Sequence, residues 1–207
     1  MKQIKTKLLG IAPYEGMRAA MIQLAQKRND IELDVFLGDM NQGLSIVNQI
    51  DLSSYDAIIS RGGTAAAIQE ISSVPVIEVP ISVYDILRAI KLAEDTTQGY
   101  AIVGFPSITE NAQILSSLLG HSFDICTIHS AEELDSVLLS LKKRNCNMII
   151  CDMISSTHAS RYGISSILLS SGEESILSSF EQAVMISNSF KRTKNRAHYY
   201  FQLLQTF

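Results

Sequence analysis

Tryptophan is absent from this chain of 207 residues, proline occurs four times, and cysteine occurs three times. An odd number of cysteines with no C-x-x-C pair suggests neither a disulfide framework nor a zinc site, so we expect Cys126, Cys146 and Cys151 to be buried, inert thiols. The longest apolar runs, such as 148–151, fall far below the roughly 20 residues that cross a bilayer. The apolar run at the N-terminus stops at Pro13 and lacks the core of a signal peptide. We expect no membrane helix, no metal and a cytoplasmic protein.

A strong excess of one charge sign is also missing. The 21 acidic and 17 basic side chains give a net charge of −4, which offers no field to draw the chain onto nucleic acid or an anionic membrane. The hydrophobic fraction of 46% is typical of a globular protein with a packed core. Length alone is compatible with one large domain or two small ones.

Catalytic motifs are lacking as well. The four histidines, His121, His129, His158 and His198, are scattered, and G-x-S-x-G, H-E-x-x-H, G-x-G-x-x-G and P-loop patterns do not occur. The expectation is a non-enzyme without a cofactor. An enzyme on the same scaffold stays open as an alternative, with Asp85, Asp152 and the glutamates at 173 and 174 as its acid–base candidates.

Short β-branched runs alternate with longer segments of helical period along nearly the whole chain. This alternation predicts an α/β fold with parallel sheets covered by helices. Eight strands exceed one compact five-stranded unit, so the expected fold is two Rossmann-like, flavodoxin-like subdomains with a cleft between them. The predicted strands are Ile4–Leu9, Glu32–Phe36, Ala57–Ser60, Val76–Val79, Tyr100–Gly104, Phe123–Ile128, Asn147–Cys151 and Ser166–Leu169.

The predicted division of the chain has a hinge near 80–82. Residues 1–81 form the first subdomain and residues 82–187 the second, while a C-terminal helix at 188–207 packs back on the first. Phe190, Ala197 and Leu204 recur every seventh residue, which also fits a helix that packs against a partner, and a homodimer therefore stays open.

The most informative local pattern is Ser60-Arg61-Gly62-Gly63-Thr64, which follows a strand and begins an alanine-rich helix. Two glycines allow a tight turn, the free amides of a helix start favour negative charge, and Arg61 suits a carboxylate. An alternative interpretation, which stays open, is that this segment is only a strand-to-helix turn with Arg61 in a structural ion pair.

Other candidates lie at the carboxyl ends of strands, where open α/β sheets bind their ligands. Ser171-Gly172-Glu173-Glu174-Ser175 fits a second anion-binding helix start, although a capping box accounts for it equally. The complete set of predicted ligand-binding residues is Arg61, Gly62, Gly63, Thr64, Ser82, Tyr84, Asp85, Phe105, Ser107, Thr109, Asp152, Thr157, Ser171, Gly172, Glu173 and Ser175.

Five segments in a fixed order resemble a known family. They are Asp56-Ala57-Ile58-Ile59-Ser60-Arg61-Gly62-Gly63-Thr64-Ala65, then Val74–Glu78, Tyr84–Ala89, Tyr100–Phe105 and Leu169–Ile176. Together they are similar to the N-terminal sensory domain of propionate catabolism activators, which are sigma-54-dependent transcriptional regulators.

The resemblance implies that a small anionic effector, such as 2-methylcitrate or a related carboxylate, binds between two Rossmann-like subdomains. It also implies partners in a full-length protein, namely an AAA+ ATPase domain and a DNA-binding helix-turn-helix domain. The chain carries no Walker motif, so it is expected to be an excised or free-standing sensor that does not read DNA itself. A ligand-free interaction domain is the remaining alternative, and the effector and the sign of its regulation stay open.

Overall fold

The structure is a computed structural model that describes residues 5–96 and 99–204, with side chains described up to residue 193. Eight strands and eight α-helices alternate over this part of the chain. They form two four-stranded sheets, and every pair of neighbouring strands is parallel. The predicted α/β fold with two parallel sheets is confirmed.

The first sheet has the strand order β2-β1-β3-β4. Its strands are β1 (Thr6–Ala12), β2 (Ile31–Leu37), β3 (Ala57–Ser60) and β4 (Val76–Glu78), and its connecting helices are α1 (Glu15–Gln26), α2 (Met40–Gln49) and α3 (Gly62–Ile71). β3 is buried along its whole length, as its uninterrupted apolar run predicts for a central parallel strand. Met17, Met21 and Leu24 of α1 are buried at the spacing of one helix face.

The second sheet has the strand order β6-β5-β7-β8. Its strands are β5 (Ala101–Gly104), β6 (Asp124–Thr127), β7 (Met148–Cys151) and β8 (Ser165–Leu168), and its helices are α4 (Val83–Thr96), α5 (Pro106–Leu119), α6 (Leu134–Lys143) and α7 (Met153–Arg161). Central β5 is again fully buried, with one apolar cluster on each face of the sheet. One short 3₁₀ helix lies in each half of the chain, at Leu52–Ser54 and Ala131–Glu133.

The last helix, α8 (Glu173–Leu204), belongs with the first sheet. Ile176, Phe180 and Ala183 are fully buried in the same cluster as β1 and β3. The chain therefore divides into a first unit, made of the described residues up to Pro80 and from Glu173 on, and a second unit from Ile81 to Gly172. This differs from the predicted boundary at 187–188, because a change of composition there coincides with no break in the helix.

Some helix and strand ends differ from those that the local sequence indicates or lie outside the described residues. α5 begins at Pro106 with Phe105 before it, so Ser107 lies inside the first turn of the helix. In α8, Phe190 is 64% exposed, whereas the side chains of Ala197 and Leu204 lie outside the described residues, so their predicted packing stays a prediction. Ile4, the first residue of a predicted strand, also lies outside them. None of the described helices combines the length and apolar content of a membrane span.

Candidate functional site

Each sheet has one position where its connections leave in opposite directions. In the first sheet this switch point lies between β1 and β3, and in the second it lies between β5 and β7. Ligands of open α/β sheets bind outside the carboxyl ends of the strands at such points. The residues that follow β1, β3, β5 and β7 are therefore the best-placed candidates for a ligand site.

Arg61 and Tyr14 lie together at the first switch point. Arg61 directly follows β3 and Tyr14 follows β1. One guanidinium nitrogen of Arg61, Nη1, donates a hydrogen bond of 3.1 Å to the Tyr14 hydroxyl, and the guanidinium carbon lies 5.8 Å from the centre of the tyrosine ring. This contact bridges the two central strands, as does a 2.8 Å hydrogen bond from Ser60 Oγ to the carbonyl of Ile11.

Arg61 is a buried charge without a counter-ion in the described part of the chain. It is only 9% exposed, and no described carboxylate lies within 4.0 Å of it. A buried charge is costly unless it is paired, and the neutral hydroxyl of Tyr14 leaves the positive charge uncompensated. The geometry therefore favours an anionic group at this point.

The start of α3 is partly occupied by the chain itself. Gly62 has a φ of 54°, a left-handed conformation that glycine adopts without strain. Its N–H donates to Oε1 of Glu78 at 3.2 Å, so one of the amides predicted to bind an anion already meets a carboxylate. Gly63 is exposed beside it. Thr64 is buried instead, and its hydroxyl accepts a 3.0 Å hydrogen bond from the N–H of Met40 at the start of α2.

Ser82 and Gly172, both predicted to bind an anionic ligand, instead donate hydrogen bonds to the carboxylate of Asp85. Asp85 is 2% exposed, and its Oδ2 accepts hydrogen bonds from Ser82 N at 2.7 Å and Ser82 Oγ at 2.9 Å. Its Oδ1 accepts one from Gly172 N at 2.8 Å and pairs with Arg88. The predicted anion-binding amide of Gly172 therefore points at Asp85.

Four further residues predicted to bind the ligand follow edge strands and not central ones. Tyr84 comes after β4, and Ser171, Glu173 and Ser175 come after β8. Tyr84 is 67% exposed in the first turn of α4. Ser171 follows β8, Glu173 is exposed at the start of α8, and Ser175 is buried with its carbonyl accepting from Ser179 Oγ at 2.9 Å. Their positions lie away from the switch point of either sheet.

Phe105 and Asp152 mark the second switch point, since they directly follow β5 and β7. Phe105 is half-buried, and Ser107 is exposed one residue into α5. Oδ1 of Asp152 caps α7 by accepting from Ser155 N at 2.8 Å. The two predicted threonines are used locally: Thr109 accepts from Thr127 Oγ1 at 2.9 Å, and Thr157 donates to the carbonyl of Met153 at 3.0 Å.

The groups near the second switch point are poorly suited to acid–base or nucleophilic work. Burial raises the pKa of the Cys151 thiol, the last residue of β7, so the thiol stays protonated. Cys126 and Cys146 are only partly buried, which differs from the expectation of three buried thiols. Among the described residues, no three histidine, cysteine or acidic side chains are grouped as metal ligands would be.

Two residues that contact Arg61 or Gly62 were missed from the sequence: Tyr14, which follows the central strand β1, and Glu78, which ends the edge strand β4. Tyr14 lies 47 residues from its partner Arg61, and Glu78 lies 16 residues from Gly62. Position was a signal for Glu78, which lies near the end of the predicted strand Val76–Val79, but not for Tyr14, because the predicted strand Ile4–Leu9 ended three residues before β1 does.

The family model of the propionate catabolism activators matches residues 27–193, most of the chain. The chain belongs to the propionate catabolism activator family. The match includes Arg61, Glu78, Asp85 and Asp152, whereas Tyr14 lies before its first residue. Membership in a family of activators makes this propionate catabolism activator domain a regulatory one.

A solved structure shares the fold of this activator domain. An NtrC family transcriptional regulator from Clostridium acetobutylicum is 22% identical and superposes with a TM-score of 0.74, covering 90% of this chain and 98% of that one. That likeness shows the shared fold. The transcription regulator CcpA of Lactococcus lactis is 15% identical with a TM-score of 0.40, covering 78% of this chain and 75% of its own. No curated protein matches the sequence.

Proposed function

We propose that this chain is the effector-sensing domain of a sigma-54-dependent transcriptional activator, and that it binds a small anionic metabolite without transforming it. Arg61 carries this proposal, because it is a buried cation at the switch point of a parallel sheet with no carboxylate partner among the described residues. An anionic ligand group that accepts hydrogen bonds from Arg61 compensates the charge. Tyr14 orients the guanidinium and lines the same point.

In this proposal the bound ligand acts by stabilising one of two states of the domain. α8 packs on the first sheet through Ile176 and Phe180 and continues to Leu204. A helix that begins on the ligand-binding unit is suited to pass the change toward AAA+ and DNA-binding output domains. We place the protein in the cytoplasm, where such activators meet DNA. A ligand held between the two units, with the second switch point contributing, stays a prediction.

The enzyme alternative has less support. Asp85 is surrounded by donors of the chain, and Asp152 caps a helix, so neither of these carboxylates is poised as a free general base. Detectable turnover of a bound metabolite would revive it. The alternative of a ligand-free interaction domain does not explain why the buried charge of Arg61 has no carboxylate partner among the described residues.

The test is a thermal-shift screen of the whole chain against propionate, 2-methylcitrate, other carboxylates and sugar phosphates. A ligand present at 100 times its dissociation constant adds about 2.7 kcal/mol, which raises the melting temperature by roughly 5 to 10 °C. Arg61→Met keeps the apolar stem and removes the charge, so the shift should disappear while the circular dichroism spectrum is retained.

The matched control is Arg144→Met, because Arg144 is exposed and pairs with Asp124 in the second unit. This variant should keep the full ligand response. A shift that survives in folded Arg61→Met protein would remove Arg61 from the site. Silence of the wild-type chain across the panel would favour the interaction domain.

A further inference from the structure

The second half of α8 carries an exposed apolar surface. Phe190 is 64% exposed and Met185 is 68% exposed, although the same helix is buried on the first sheet through Phe180. A single exposed apolar side chain is normal, whereas a contiguous set indicates a contact site. The set is contiguous here, because an open hollow of about 400 Å³ lies along the helix. Its described lining residues are Met185, Ile186, Ser189, Phe190 and Thr193.

The arrangement of these residues fits a facing helix. Ile186, Ser189, Phe190 and Thr193 stand at positions i, i+3, i+4 and i+7 of α8. In a coiled coil, four residues of one helix form the hole that receives a side chain of the other helix. Four residues at this spacing surround such a hole. The hollow therefore suits a second helix that runs along α8.

The apolar positions continue with coiled-coil spacing beyond the hollow. Steps of four and three residues alternate from Ile186 to the end of the helix at Leu204. Positions at this spacing share one side of a helix, and from the first to the last of them the helix rises about 28 Å. We call them the α8 stripe, and they are Ile186, Phe190, Thr193, Ala197, Tyr200 and Leu204.

A second copy of α8 matches the length of this stripe. Helices α1 to α7 span 9 to 14 residues, and each has buried residues on its own sheet. A helix of 14 residues covers about 21 Å and leaves part of the stripe open. The α8 helix of a second chain has the same length and the same spacing, so a two-fold symmetric pair covers the stripe of both chains.

The charges beside the stripe favour a parallel pair. The sequence after Glu181 contains four cations and no acid, and Lys194 and Arg196 occupy the positions that flank the stripe. A parallel pair places the position of Ser189 opposite Lys194 and the position of Arg196 opposite Phe201, so no two cations face each other. A fully overlapping antiparallel pair places each of these cations opposite its own copy, and like charges repel.

We propose that the chain forms a parallel homodimer through the α8 stripe, independently of any ligand at Arg61. The stripe is short, so the dimer dissociates on dilution. Pairing begins at Ile186, after the residues of α8 that complete the core of the first unit, and therefore leaves that core unchanged.

Analytical ultracentrifugation of the whole chain over a concentration series measures the dimer. We expect a species with twice the mass of one chain that becomes a monomer on dilution. Phe190→Glu places a charge in the stripe and should raise the dissociation constant at least tenfold. Its circular dichroism spectrum should be unchanged, because Phe190 is exposed in the single chain. Leu118→Glu, at a position on α5 that is 74% exposed, is the matched control and should leave the dissociation constant unchanged.

Disulfide trapping tests the direction of the pair. In a parallel pair the two copies of Thr193 lie side by side in the seam, so Thr193→Cys should form a covalent dimer when diamide oxidises the two thiols to a disulfide. Arg192→Cys is the control, because Arg192 is exposed and lies outside the stripe. This variant and the wild type, with its three native cysteines, should stay monomeric on a denaturing gel.

Three results would overturn the proposal. A mass that stays that of one chain at millimolar concentration contradicts the dimer. A dimer that is weakened by Leu118→Glu and not by Phe190→Glu has its interface elsewhere. A dimer that depends on Phe190 but is not trapped by Thr193→Cys contradicts the parallel direction. None of these measurements involves a ligand, so the proposed sensing function is tested separately by Arg61→Met.

Discussion

At the residue scale, Asp85 and Arg61 are both buried charges, and they differ in their surroundings. Asp85 is met by Ser82, Gly172 and Arg88, whereas Arg61 meets one neutral hydroxyl. A compensated charge holds local structure together, and an uncompensated one is available to a ligand. This contrast moves Asp85 from the ligand contacts expected from sequence to a structural role in the second unit.

Asp85→Asn should lower the free energy of unfolding of the second unit by about 2 kcal/mol, because the amide nitrogen cannot accept the hydrogen bonds that meet the carboxylate and the ion pair between Asp85 and Arg88 is lost. Urea unfolding followed by circular dichroism measures the change. Asp95→Asn, at an exposed position of the same helix, is the control and should cost less than about 0.5 kcal/mol. Equal losses in the two variants would contradict the structural role.

The sequence predicted one side of the first switch point and missed the other. Arg61 and Gly62 stand in a local pattern of strand, glycines and helix, which is visible without any knowledge of the strand order. Tyr14 and Glu78 become relevant only when β1, β3 and β4 are known to be neighbours. Side chains brought together by strand order leave no local signal, because the distance between them along the chain is unconstrained.

At the element scale, the ends of the eight predicted strands that fall on described residues lie within three residues of the observed ends, and β3 agrees at both ends. The start of α8 was assigned to the second unit and belongs with the first. Strands in parallel sheets are apolar on both faces, so they are recognisable in the sequence as nearly continuous apolar runs. A helix that docks on a sheet shows an apolar stripe but not which sheet receives it. Ile176 and Phe180 fit either core by composition, and only the packing assigns them to the first.

Phe180→Ala should therefore destabilise the first unit by about 3 to 5 kcal/mol, the usual cost of deleting a fully buried phenylalanine ring. The same substitution at Phe190, which is 64% exposed on the same helix, should cost less than about 0.5 kcal/mol. Urea unfolding of the monomeric chain measures both, and hydrogen exchange of the backbone amides of β1 and β3, compared with those of β5 and β7, tells which unit is destabilised. A large loss confined to the second unit would restore the boundary expected from sequence.

At the scale of the whole molecule, the chain forms two units. One is continuous in sequence, and the other is built from two separate segments of the chain. The second unit runs without interruption from Ile81 to Gly172 and has its own clusters on both faces of its sheet. The first unit is interrupted, since Ile176, Phe180 and Ala183 complete the cluster that begins with Leu8. Its residues before Pro80 thus lack part of their core until α8 is present.

A polypeptide of residues 81–172 should fold alone, with a helical circular dichroism spectrum and a cooperative urea transition, because no buried residue of its core lies outside that range. Residues 1–80 alone should not, since three fully buried side chains of α8 are missing and their absence leaves apolar surface open to water. Joining residues 1–80 to 173–207 through a flexible linker should restore folding. Independent folding of residues 1–80 would show that α8 is an appendage, and would remove it as the element through which the ligand acts on its partners.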